Sequence, residues 1–114
     1  MNKKRPSKNT KHLQYVRSLP CTICKAGYYS HHRIVQAHHL LKPWLGVRGM
    51  SLKAEDANVI PLCLFHHQLL HTKYGSEKLF FENYGMKGNF GKEYAKSLWE
   101  GTQMHDIDDN DLPF

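Results

Sequence analysis

His67 and His71 stand four residues apart in the run His67-Gln-Leu-Leu-His71, whose apolar spacing is helical. Side chains at i and i+4 of a helix project from one face, one turn apart, so such a pair can chelate a single ion. A vicinal pair, His38-His39, lies upstream and can supply a third ligand together with a free imidazole. Three imidazoles leave coordination positions for water and a phosphate oxygen, as in a catalytic metal site. An unligated histidine, with an ordinary pKa of about 6.5, suits deprotonation of a water near neutral pH. Histidines at this spacing also arise by chance on helix surfaces. Here the upstream pair, and Asn58 between the two at a strand start, favour a site.

Cys21-Thr-Ile-Cys24 and Cys63-Leu-Phe-His66 form a second constellation. A two-residue gap lets both ligands of a tight turn point at one ion, and two such knuckles close a tetrahedron. Thiolate and imidazole suit zinc by softness and geometry, and four protein ligands leave no open position, so this zinc would be structural. His66 is rotated by about 100° from His67 around a helix axis, so one helix start can serve two metals. The alternatives are buried thiols or a redox dithiol; the second expects a thioredoxin-like βαβ context that this sequence lacks. Three cysteines, an odd number, argue against a disulfide framework.

The elements that must position these groups can be read in turn. Leu13, Val16 and Leu19 predict a short amphipathic helix over residues 11–19, ending before Pro20. Residues 33–41 predict a strand. His38 and His39 can share a site only if that strand ends or bends there, because neighbours in a strand point to opposite faces. Residues 42–56, with Pro43, Gly46 and Gly49, predict a long loop, and residues 58–62 a second strand that Pro61 places at an edge or end. The helix bearing His67 and His71 should stop near Gly75. Ser76 is the expected N-cap of a helix over 77–83 closed by Gly85, and a last helix is expected over 91–100 with Tyr94, Leu98 and Trp99 on its apolar side. The 114 residues suffice for one core: a folded domain over 13–102, a disordered basic arm over 1–12, and an acidic flexible tail over 103–114.

Charge points to the partner. The net charge is +6, but residues 1–17 hold six basic side chains and no acid, whereas residues 100–114 hold five acids and no Lys or Arg. Without that tail the chain carries +11, which favours a polyanion, most commonly nucleic acid; a solvated charged face is the equal alternative on charge alone. Arg33, Lys42, Arg48 and Lys53 are the expected phosphate contacts; such contacts position a duplex without reading its sequence. No apolar run is long enough to span a membrane, and no apolar stretch follows the basic N-terminus as a signal peptide requires. No membrane partner and a cytoplasmic location are therefore expected.

The stretches Ala37-His-His-Leu40, Asn58-Val-Ile-Pro-Leu-Cys63 and His66-His-Gln-Leu-Leu-His71 resemble the HNH endonuclease family, whose core is the ββα-metal fold. The chain looks most like the branch with a zinc-knuckle pair, similar to phage-type and recombination-enhancement nucleases. The resemblance implies an α+β fold: a small ββα-metal (HNH) core, a structural zinc-knuckle pair and flanking helices. It implies an endonuclease hydrolysing DNA phosphodiester bonds with low sequence specificity. His39 would be the general base. His38, His67 and His71 would hold the catalytic ion, and Asn58 would brace the loop that orients His39. Cys21, Cys24, Cys63 and His66 would hold the structural Zn2+. Many members carry Asp where His38 stands. A three-His site favours Mn2+, Ni2+ or Zn2+ over the oxygen-preferring Mg2+. The expected partner is DNA, single-stranded or branched forms included. Two other readings remain open at this point. One is a non-catalytic zinc-knuckle nucleic-acid-binding protein; the other is a nuclease active only with a recombination or packaging partner. His31 and His32 match nothing in the pattern and are expected to be surface or supporting residues.

Overall fold

The computed structural model of the protein describes residues 8–46 and 56–104. Arg48, Lys53, most of the basic arm and most of the acidic tail lie outside these residues. The structure is a small mixed domain in which helices surround a two-stranded antiparallel sheet.

Helix α1 spans Lys8–Arg17. It starts earlier than Leu13, Val16 and Leu19 predict and takes residues 8–12 out of the expected arm. His12 is the reason: it is buried one turn before Val16 and extends the packed stripe of the helix. Helix α2, Thr22–Lys25, is a single turn that carries the first knuckle. Strand β1, Val35–His39, pairs with β2, Val59–Cys63, placing His38 opposite Ile60 and His39 opposite Val59. Both strands are shorter than, or shifted from, their predicted bounds. Pro61 sits in mid-strand, which a two-stranded sheet tolerates because each strand has an unpaired side. Its carbonyl accepts from Thr22 Oγ1 at 2.7 Å, tying α2 to β2.

Helix α3, Leu64–Leu69, follows β2 without a loop and continues as a π-helical turn, Leu70–Tyr74. Gly75 stops it in the left-handed conformation (φ 63°), its N–H donating to Leu70 O at 2.7 Å. Ser76 then caps α4, Glu77–Asn83, accepting from Leu79 N at 3.3 Å, as its position predicts. Helix α5 runs Phe90–Met104, longer at its C-terminal end than the predicted 91–100.

The core lies between the sheet and the last two helices. Ile23, Leu40, Ile60, Leu62, Leu70, Phe80, Phe81 and Ala95 are buried together with Cys21 and Cys63. Every residue of β2 is buried, so this strand is the floor on which both candidate sites stand. Gly91 is part of the packing: a Cβ there would lie 2.8 Å from the Phe81 ring, so α4 and α5 approach closely only with glycine. No described helix is long and apolar enough to cross a membrane.

Candidate metal centres

The first centre is the knuckle pair. Cys21 precedes α2 and Cys24 lies within it; Cys63 ends β2, and His66 lies in the first turn of α3. Their ligand atoms all fall within 4.8 Å of one another. His66 Nδ1 is 3.5 Å from Cys21 Sγ, 3.7 Å from Cys24 Sγ and 3.3 Å from Cys63 Sγ, and Cys24 and Cys63 are 4.0 Å apart. A tetrahedral zinc with ordinary bond lengths sets ligand separations of about 3.4–3.8 Å. The cluster of three Cys and a His is therefore of a size that could hold a metal such as zinc. Burial pushes the Cys21 thiol up to about 11, so the proton is displaced there only by a cation. At Cys63 burial acts in the same direction, but hydrogen bonds, chiefly from the Ser30 hydroxyl at 3.2 Å, outweigh it and hold the thiol below its usual range. Burial also lowers the His66 pKa, favouring the neutral, ligating imidazole.

The second centre is the histidine trio. His38 on β1, His67 on α3 and His71 on the π turn have ligand nitrogens within 4.8 Å of one another. The Nε2 atoms of His67 and His71 face each other at 3.2 Å, close to the roughly 3.3 Å edge of a tetrahedral nitrogen site. Two of the rings are anchored from behind. His38 Nε2 is held by the Glu77 carboxylate at 2.8 Å, and His67 Nδ1 by Gln36 Oε1 at 2.5 Å. With Nε2 donating to Glu77, His38 Nδ1 is buried without a hydrogen-bond partner. A buried imidazole nitrogen left in this way is costly unless a cation takes its lone pair. Burial, with the neighbouring His38, His71 and His39, lowers the His67 pKa to about 4, so its ring is neutral and basic at neutral pH.

His39 follows directly but meets a different environment. Its side chain is 41% exposed, against 1% for His38, and its Nε2 is 3.3 Å from Asp56 Oδ1. The strand ends at His39, the condition under which the vicinal pair can stand near one site. Asn58 is buried. Its Oδ1 accepts from Trp44 N at 2.6 Å and Leu45 N at 3.2 Å, and its Nδ2 donates to Leu45 O at 3.0 Å. Its side chain thus pins the segment after β1 to the start of β2. Arg33 and Lys42 are exposed, Lys42 beyond the end of β1 and Arg33 before its start. His31 and His32 are exposed and ligate neither centre.

Glu77, Gln36, Asp56 and Ser30 support these centres and do not stand out in the sequence. Gln36 has a signal in retrospect: it lies two residues before His38 and so shares its strand face. Asp56 is, with Glu55, the first acid of the chain. Glu77 carries none, because its partners come from β1, far away in sequence.

Comparison with known proteins adds a family and a relative. The chain is 36% identical over 74 residues to the uncharacterized protein YdfU of Escherichia coli (strain K12), a match covering 59% of this chain and 19% of that protein. It thus spans about a fifth of the relative it matches. No solved structure matches. A family model described as protein of unknown function (DUF968) matches residues 1–96, which include both candidate centres, and the chain belongs to that family.

Proposed function

We propose that the protein is a metal-dependent endonuclease of the HNH type, hydrolysing DNA phosphodiester bonds. The observation that carries this reading is the pairing of two unlike histidine environments at one strand end. His38 is buried, anchored by Glu77 and leaves one nitrogen without a partner; His39 is half-exposed and faces a carboxylate. A ligand and a base are needed side by side in metal-assisted hydrolysis, and these two residues divide those roles.

His38, His67 and His71 would hold a divalent ion, which supplies positive charge for the scissile phosphate and the departing 3′ oxygen. Three imidazoles favour Mn2+, Ni2+ or Zn2+. His39 accepts a proton from the attacking water, and Asp56 orients the ring. The water oxygen forms its bond to phosphorus as the bond to the 3′ oxygen breaks, leaving a 5′ phosphate. The 3′ oxygen takes its proton from solvent. Asn58 holds the chain that follows His39, and Arg33 and Lys42 supply cationic contacts to neighbouring phosphates. A zinc held by Cys21, Cys24, Cys63 and His66 would tie α2 to the start of α3, and those residues would so fix His67 relative to the sheet.

Plasmid cleavage by the purified chain, with Mn2+, Ni2+ or Mg2+ added, tests the reading beside His39→Ala. Nicking that is lost in the variant, while zinc content and circular dichroism persist, is the expected result. Plasmid binding without cleavage by any ion overturns it for the isolated chain and leaves a zinc-knuckle binding protein or a nuclease that acts only with a partner.

A further inference from the structure

Apart from Arg33, the side chains displayed by segment 28–34 have no part in the reaction above, yet hydrogen bonds tie the segment to the knuckle and to α3. Ser30 Oγ contacts Cys63 Sγ and accepts from His32 N at 3.2 Å. Ile34 O accepts from Leu64 N at 3.1 Å, laying the end of the segment beside the start of α3. The side chains it displays are aromatic and basic. Tyr29 is 82% exposed, and the His32 ring lies nearly parallel to that of Phe65 (centroids 6.3 Å apart, 6° between planes). Phe65 is itself 44% exposed. Tyr29, His31, His32 and Arg33 line one groove beside the knuckle.

Exposed rings serve protein partners as well as nucleic acids, and charge decides between them. Residues 1–54 contain no Asp or Glu, and His31 and Arg33 are exposed and line the same groove as Tyr29 and His32. Aromatic faces beside a groove that Arg33 lines and no acid lines match a chain of bases on phosphates. Duplex DNA hides the faces of its bases, so ring stacking requires unpaired nucleotides.

We infer that the face formed by Tyr29, His32, Arg33 and Phe65 is a stacking platform for single-stranded nucleic acid. This deepens the proposed nuclease reading, on which it rests only for calling the strand a substrate: the enzyme would engage DNA through an unpaired segment beside the knuckle. Tyr28 is not part of the platform, because its ring packs on Tyr84 and its hydroxyl donates to Tyr84 O at 3.3 Å.

The test is fluorescence anisotropy with the zinc-loaded full chain, a labelled 15-mer of thymidylate and a duplex of equal length. Strand integrity is checked on a denaturing gel. The single strand is expected to bind at least about tenfold tighter. Tyr29→Ala and Phe65→Ala should each weaken it by about tenfold, with little change for the duplex, and Tyr29→Phe should retain binding. Arg33→Ala should instead reduce the slope of log affinity against log salt by about 0.7. Zinc content shows that each variant keeps its knuckle. Equal affinity for duplex and single strand overturns the inference, as does an unchanged Tyr29→Ala or competition by polyglutamate as effective as by the oligonucleotide. Strand preference without cleavage of either the plasmid or the single strand, with Mn2+, Ni2+ or Mg2+ added, sinks the nuclease reading alone, and cleavage without strand preference sinks the platform alone.

Discussion

The Glu77 carboxylate holds the buried His38 ring from behind, 2.8 Å from Nε2, across 39 residues of sequence. The same carboxylate accepts from Leu41 N at 2.5 Å and Lys42 N at 3.3 Å. Burial works against its ionisation, but these hydrogen bonds outweigh burial and hold its pKa below the usual carboxylate range. A single side chain at the start of α4 therefore fixes the ring orientation of His38 and the exit of β1. A carboxylate behind a ligating imidazole also raises the basicity of the ring.

Glu77→Gln should accordingly weaken binding of a transition ion to the trio by about 10- to 100-fold while leaving one knuckle zinc bound. Titration calorimetry with Mn2+ or Ni2+ on zinc-loaded protein reads the first, and elemental analysis the second. Unchanged ion affinity would show that Glu77 serves only the backbone of residues 41 and 42.

Much of this arrangement was legible in the sequence, and the part that was not has a common cause. The two knuckles, the i, i+4 histidines, the Ser76 cap and the Gly75 stop are local signals: the spacing itself dictates the geometry. Glu77 and Asp56 act on residues that only the tertiary fold brings near. His12 failed for another reason. A histidine in a basic, polar stretch reads as solvent-exposed, and nothing local shows that α5 covers it. The strand that the sequence predicts over 33–41 is longer than β1, Val35–His39, at both ends, because apolar pattern does not register where pairing stops. The exposed rings of Tyr29 and Phe65 were unreadable in the same way, since aromatic residues are more often core.

The knuckle should be a folding element. Cys24→Ser, or an excess of chelator, should abolish stoichiometric zinc and lower the melting temperature by well over 10 °C, because metal-binding energy in so small a domain is folding energy. The pH dependence has a definite sign. Zinc must displace protons from thiols, of which Cys21 is raised to about 11 by burial, so zinc affinity must fall as pH falls. Competition with a colorimetric chelator between pH 8 and 6 checks this; an affinity that holds steady with pH would exclude thiolate ligation.

His12 predicts a separate acid weakness. Its Nδ1 is 2.9 Å from Thr102 Oγ1, its ring meets Trp99 edge-on, and its Nε2 is buried without a hydrogen-bond partner. Burial lowers its pKa from 6.5 to about 4. The unfolded chain thus takes up a proton near pH 6.5 and the folded chain only near 4. Stability is full above the first value and is lost progressively as pH falls from the first towards the second, by up to about 3 kcal/mol. In His12→Phe the ring contact with Trp99 persists, and the Thr102 hydroxyl keeps its bonds to Leu98 O and Trp99 O. The variant should therefore lose less stability than the parent between pH 7 and pH 5 in urea unfolding. Acid release of any zinc held by the knuckle would be common to both proteins, so the difference reads His12 alone. Parallel losses would assign the acid sensitivity elsewhere.

The last prediction separates the base from its support. In the proposed reaction, His39 touches the attacking water, whereas Asp56 acts only through the ring it faces at 3.3 Å. His39→Gly should lower plasmid nicking by about 10²- to 10⁴-fold, the usual contribution of a general base. Asp56→Asn keeps an acceptor in place but removes the charge, and should cost on the order of tenfold. A merely structural role would produce losses of the same kind, so rescue is the decisive readout. Added imidazole should restore nicking in His39→Gly, where it can occupy the emptied, half-exposed position and take the proton. It should not restore Asp56→Asn, which retains the His39 ring. If imidazole rescues neither variant, or if Asp56→Asn loses more activity than His39→Gly, then His39 is not the group that activates water.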